Sequence, residues 1–273
     1  MSKANVENKS STYPLATGSA GADRLRLMHR IYGADTQRLL LEAGLRGGMR
    51  VADIGCGIGT VTRWIAQQVG STGHVTGVDA SPAQIEVARA DTRTAQLDNI
   101  EYVVADALAL NLPVATFDLV YCRLLLCHLA RPLDALRQMR ALLKPGATLV
   151  CEELDLMPQV TEPPQARYDE IAGSAIRDAR ARGADYNIGR KLPRLFAEVG
   201  LGLVGFRVWE PAYLRGEEKR IHERSLAEEF EKKIAAGLMT SEQADVQRRE
   251  LARVSADDTI LVFQTRMAQA WGR

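Results

Sequence analysis

Cysteine is scarce in this chain, with four among 273 residues, and Cys56, Cys122, Cys127 and Cys151 all fall in or beside segments that read as buried strands or their exits. A disulfide scaffold is excluded, and the reduced thiols of a cytoplasmic protein are expected. Histidine is equally sparse, and no spacing of Cys and His makes a zinc pattern, so no metal is expected. Neither sign of charge is in excess, the formal net charge being +1. A surface built to release counterions from a nucleic-acid backbone would be basic, so nucleic acid is not the expected partner. No run reaches the roughly 20 apolar residues of a membrane span. The longest, residues 119–130, is broken by Arg123 and His128. The first ten residues are polar, with no apolar stretch behind their lysines, which argues against a signal peptide. There is no internal repeat. What the chain does have is 46% hydrophobic and 25% charged residues, ample for one large domain or two small ones.

Residues 1–22 read as a flexible N-terminal segment. Leu27, Ile31, Leu39 and Ala43 then suggest one or two helices before any strand. From residue 51 the chain alternates. Strands are expected at 51–54, 74–79, 100–105, 117–122 and 148–152, separated by helices whose apolar residues recur at helical spacing. Ser81-Pro82 opens one of these helices, with Ser81 as cap, Pro82 at the first helical position and Gln84 placed for a capping box. Strands separated in this way imply right-handed βαβ units and a parallel sheet. Further on, helices are expected at 168–182 and 190–199 and strand-like segments at 203–209 and 259–266. Between those two strands, 216–254 is rich in Glu, Lys and Arg, with Leu226, Phe230 and Ile234 on one face. It reads as a helical hairpin with a solvated exterior, a lid or dimer arm being the sharper alternative.

The most informative segment is Val51-Ala52-Asp53-Ile54-Gly55-Cys56-Gly57-Ile58-Gly59-Thr60. A strand that runs through a glycine-rich turn into a helix lets bare backbone amides approach a ligand. A dinucleotide fingerprint would put its third glycine at position 60, where this chain has threonine. Asp53, at the strand's carboxyl end, suits a cationic amino group better than a pyrophosphate. A zwitterionic nucleoside is therefore favoured over a dinucleotide, a turn without ligand being the alternative. Asp79 ends the second strand, placed for ribose hydroxyls, and Asp106 ends the third, placed for an adenine amino group. Three acids at the carboxyl ends of three successive parallel strands lie where open α/β sheets bind ligands.

With these residues the chain resembles the class I S-adenosylmethionine-dependent methyltransferases of the small-molecule kind, which include ubiquinone- and menaquinone-biosynthesis enzymes and bacterial natural-product methyltransferases. The matching stretches are VADIGCGIGT (51–60), VTGVDAS (75–81), VVADAL (103–108), FDLVYCRLLLCHL (117–129) and LLKPGATLVCEELD (142–155). The resemblance implies an α/β, Rossmann-like, seven-stranded and mostly parallel sheet with helices on both faces and its last strand antiparallel. It implies one domain over 23–273, with a cofactor-binding core at about 46–155, helical insertions at about 156–200 and 214–256, and residues 1–22 folding over the cofactor. S-adenosyl-L-methionine would be the cofactor and S-adenosyl-L-homocysteine its product. The implied cofactor residues are Tyr13, Asp53, Gly55, Cys56, Gly57, Gly59, Asp79, Ala80, Asp106, Ala107, Cys122 and Arg123.

Methyl transfer from a sulfonium is an in-line displacement that needs alignment and exclusion of water, and a general base only when the acceptor arrives protonated. His128, after the fourth strand, is the leading base candidate, and Glu153 the second. Glu152 and Glu153 are successive strand residues, so at most one of them is expected to face the pocket. Glu152, Tyr186 and Arg190 are candidate acceptor residues. The expected function is methyl transfer to a small organic acceptor by a monomer or homodimer that needs neither nucleic acid nor membrane. A nicotinamide-dependent oxidoreductase and a non-catalytic cofactor-binding regulator are the alternatives.

Overall fold

The computed structural model describes residues 19–157 and 160–273. It opens on one long helix, α1 (Ser19–Glu42), and then alternates: β1 (Arg50–Ile54), α2 (Thr60–Val69), β2 (His74–Asp79), α3 (Pro82–Thr94), β3 (Ile100–Val104), β4 (Phe117–Arg123), α4 (Pro132–Leu142) and β5 (Leu143–Leu154). The Ser81 hydroxyl caps α3 by accepting the Gln84 N–H. The later elements are β6 (Thr161–Glu162), α5 (Ala166–Ala181), α6 (Leu192–Glu198), β7 (Leu203–Trp209), β8 (Ala212–Tyr213), α7 (Ile221–Ala235), α8 (Ser241–Ala256), β9 (Leu261–Phe263) and β10 (Met267–Gly272).

Seven strands make the main sheet in the order β3-β2-β1-β4-β5-β10-β7. The first five are parallel, and β10 runs antiparallel to both of its neighbours, pairing Ala268 with Glu153 on one side and with Val208 on the other. The mixed, doubly covered sheet that the motifs imply is therefore the fold. The antiparallel strand is not where the sequence pattern put it. Within the expected strand 259–266, only Leu261–Phe263 pairs, as the middle strand of a separate three-stranded sheet with β6 and β8. The inner strand is Met267–Gly272, whose residues are all buried.

Parallel strands covered on both faces read as unbroken apolar runs, and the core divides accordingly. Ile54, Val120, Cys122, Leu149 and Cys151 pack towards Leu136 and Met139 of α4 and Leu195 of α6. Val51, Val75, Leu119, Tyr121 and Val150 pack with Leu39 and Leu40 of α1 and Ile65 of α2. All four cysteines carry free thiols, those of Cys122 and Cys151 lying 3.5 Å apart across β4 and β5. Among the described residues no helix is long and apolar enough to cross a membrane. The charge-rich segment is the helix pair α7 and α8, whose turn ends in a capping box made by Thr240 and Gln243. It is not wholly solvated, because α7 lies against α1, where buried Arg24 pairs with Glu228 at 3.1 Å.

Candidate active-site cleft

The site begins where β1 runs into α2. Gly55, Gly57 and Gly59 all take positive φ, and the Gly55 and Cys56 amides donate to the Val78 carbonyl at 2.7 and 2.9 Å, joining the turn to β2. Gly59 is also required by packing, since a Cβ there would lie 2.2 Å from the Tyr102 hydroxyl. Three acids lie at the carboxyl ends of β1, β2 and β3 around this turn. Asp53 is 2% exposed and accepts the Thr62 hydroxyl at 2.6 Å. Burial raises its carboxyl to about 6, against the opposing pull of Thr62 and Arg123. Asp79 accepts the Gly57 N–H at 2.9 Å and the Ser81 N–H at 2.8 Å, so one carboxylate organises the glycine turn and the start of α3 together. Asp106 accepts the Leu108 N–H in the same manner.

Asp53, Asp79 and Asp106, with Gly55, Cys56 and Gly57 of the turn, line one cavity of about 470 Å³. Its sheet end brings together Asp53, Gly55, Cys56, Gly57, Asp79, Ala80, Asp106, Ala107 and Arg123 from the expected cofactor set. Gly59 and Cys122 are not part of the lining; Gly59 backs onto Tyr102, and the Cys122 thiol faces Cys151 in the core. Tyr13 lies outside the described residues. The sequence reading missed Thr60 and Gln84, which line this end with Oγ1 and Oε1 buried and lacking hydrogen-bond partners. The signal at Gln84 was present but was assigned to a capping box, whereas its side chain turns into the cleft.

At the other end the walls are apolar, built from Leu129, Leu154, Leu156, Met157 and Val160. His128 and Tyr186 lie here with rings edge to face, 5.4 Å between centroids. Burial first, then the charges of Arg182 and Arg24, lower the His128 imidazole to about 3. The roof is α7, which turns His222, Ser225, Leu226 and Glu229 inward at i, i+3, i+4 and i+7 spacing, and α1 closes the side with Leu25, Met28 and Tyr32.

Three expected catalytic or acceptor residues also stand outside the lining. Strand alternation sends Glu152 and Glu153 to opposite sides, as their partners show. Glu152 is tied to Tyr121, Gln269 and Thr36. Glu153 accepts the backbone amides of Leu125, Leu126 and Cys127 and so fixes the turn that carries His128. Arg190 pairs with buried Asp155, which Arg266 also holds.

Residues 52–151 match the family model described as a methyltransferase domain. Over 117 residues the chain is 38% identical to a demethylmenaquinone methyltransferase of Staphylococcus aureus, covering 43% of this chain and 48% of that protein. The chain therefore spans about half the length of the curated relatives it matches. Among solved structures it resembles a [4+2]-cyclase (TM-score 0.59, 17% identity, 95% of this chain and 97% of that one). It also resembles the geranyl diphosphate C-methyltransferase of Streptomyces coelicolor (TM-score 0.54, 15% identity, 93% and 84%), whose structure holds Mg²⁺, geranyl diphosphate and S-adenosyl-L-homocysteine. At such identities the likeness is one of fold, and a cyclase among the neighbours shows that the fold alone does not fix the reaction.

Proposed function

We propose that this chain, which belongs with the class I S-adenosylmethionine-dependent methyltransferases, transfers a methyl group from that cofactor to a small, largely apolar acceptor. The observation that carries the reading is the single cavity that joins three strand-end acids and a glycine turn to an apolar chamber. The cofactor, when bound, supplies the methyl group on an electron-poor sulfonium. The residues present fit it. Asp53 is placed for a cationic amino group, Asp79 has lone pairs left for ribose hydroxyls after accepting two amides, and Asp106 is placed for an adenine amino group. Thr60 and Gln84 add buried polar atoms that a ligand would satisfy.

Catalysis on this reading is mainly positioning, which can contribute roughly 7–11 kcal/mol when reactants are held in line in a dry site. His128 faces the acceptor as a neutral imidazole. A group lowered to about 3 is poorly matched to proton abstraction near neutral pH, so His128 orients the acceptor by hydrogen bonding. The pH–rate profile is accordingly expected to show no ionisation near the ordinary histidine value, and His128→Asn to raise KM more than it lowers kcat. A limb near pH 6.5 that disappears in the variant would restore the base role.

Cofactor binding carries its own pH signature. Asp53 is protonated below about 6 and ionised above, and only the ionised form pairs with an ammonium. S-adenosylhomocysteine affinity is expected to rise about tenfold between roughly pH 5 and 7, and Asp53→Asn to flatten that dependence. The reaction itself is tested by incubating the protein with S-adenosylmethionine and a metabolite extract and searching by mass spectrometry for a new methylated product. Tight calorimetric binding of NAD(H) with none of S-adenosylhomocysteine would sink the proposal.

A further inference from the structure

The roof of the chamber carries a feature that methyl transfer alone does not use. Glu229 on α7 is 6% exposed, lines the cavity, and has its Oε2 buried without a hydrogen-bond partner. An unsatisfied carboxylate oxygen in an apolar chamber is costly, and a ligand that donates to it removes the cost. We propose that Glu229 is the specificity-determining residue of the chamber and that it reads a neutral hydroxyl on an otherwise apolar acceptor, an inference that rests on the methyl-transfer reading above.

The charges nearby choose between the donors a carboxylate could accept. Burial raises the Glu229 carboxyl, and the charges of Arg182, Lys233 and Lys232 pull it back towards the carboxylate, with Asp178, ion-paired to Lys233, opposing them. Arg182 and Arg24 also act on His128 across the chamber. Arg182 reaches the Tyr186 hydroxyl as well as acting on Glu229, while its Nε and Nη2 are buried without partners. Around this end the four cations Arg24, Arg182, Lys232 and Lys233 outnumber the three acids Glu228, Glu229 and Asp178, so an ammonium would find no net negative charge, and it has no lone pair to offer the cations. A hydroxyl donates to Glu229 and keeps lone pairs for Ser225, one turn earlier on the same face of α7. The sequence spacing supports a dedicated face, because the polar residues His222, Ser225 and Glu229 recur beside apolar Leu226 in a helix otherwise rich in exposed charge.

The test uses the full chain, with and without S-adenosylhomocysteine, and a panel of phenols and alcohols on one- and two-ring bodies. Each member is paired with its methyl ether and with the corresponding primary amine, and binding is measured by calorimetry. Hydroxyl members are expected to bind the wild-type protein about tenfold or more tightly than their ethers. Glu229→Leu is expected to erase that preference. Glu229→Gln, which keeps a neutral acceptor, should retain most of it, and both variants should bind S-adenosylhomocysteine as the wild type does. Absence of any hydroxyl preference in the wild type overturns the proposal, as does its survival in Glu229→Leu. A preference for the amines that Glu229→Gln abolishes also overturns it, since the chamber would then read a cation. If the protein ignores S-adenosylhomocysteine yet shows the Glu229-dependent preference, the methyl-transfer reading fails and the role of Glu229 stands.

Discussion

Asp79→Ala is expected to weaken S-adenosylhomocysteine binding by about 10²-fold or more, measured by calorimetry. Two hydrogen bonds to a charged acceptor are worth roughly 1.5–3 kcal/mol each, and each 1.4 kcal/mol is a factor of ten. The loss extends beyond the ribose. Asp79 also receives the Gly57 and Ser81 amides, so its removal loosens the glycine turn and the first turn of α3, both of which line the cavity. Asp79→Asn separates the two contributions. It keeps one acceptor oxygen for a backbone amide but places an amide donor where the carboxylate had lone pairs, so binding should fall to an intermediate value. Unchanged affinity in Asp79→Ala would show that the cofactor lies elsewhere.

The second large effect is on stability. Glu153→Leu leaves the amides of Leu125, Leu126 and Cys127 without the acceptor they reach at 3.0, 2.7 and 3.2 Å. At about 1–3 kcal/mol for each buried orphan, with some relaxation, the native state should lose about 3–5 kcal/mol. That corresponds to a Tm lower by roughly 6–20 °C in a calorimetric scan. The gap should depend on pH. Burial lifts the Glu153 carboxyl to about 7, above its unfolded value, against the pull of the three amides. A raised folded pKa means that the group's favourable contribution is present below about 4.5 and is lost as pH rises through about 7. The difference between wild type and Glu153→Leu should therefore narrow over that window. A variant with unchanged Tm and abolished turnover would return Glu153 to the chemistry.

Most of the sheet was legible in the sequence, because buried parallel strands leave short apolar runs and each ends in a residue with a distinct task. Asp53, Asp79 and Asp106 were found by that rule, and they line one cavity. Glu152, Glu153 and Arg190 fit a position rule too, yet their side chains are consumed by Tyr121, by three amides and by Asp155. Strand alternation shows that two neighbouring acids diverge, but not which partners await them. The roof was harder to see because its residues act through long-range placement. His222 and Glu229 are distant in sequence from His128 and Tyr186, and the charge that surrounds them on α7 reads as solvated surface. The last strand was missed because the apolar run 260–263 is the stronger strand signal, while Met267–Gly272, set apart from it by polar Gln264, Thr265 and Arg266, is short and contains Gln269, and only the pairing puts it inside the main sheet.

The position of β10 has a consequence for how the molecule is made. Among the described residues β7 pairs only with β10 in the main sheet, so on the ribosome it waits for residues 210–266 before that neighbour exists. During that interval Leu203, Val204, Phe206 and Val208, which remain exposed even in the finished fold, belong to an unpaired strand with both edges open. Synthesis at about 5–20 residues per second makes this a delay of several seconds, long enough for encounters with other nascent chains. The helix pair that later roofs the cleft is translated within this same interval, so the acceptor chamber and the far edge of the sheet reach completion together.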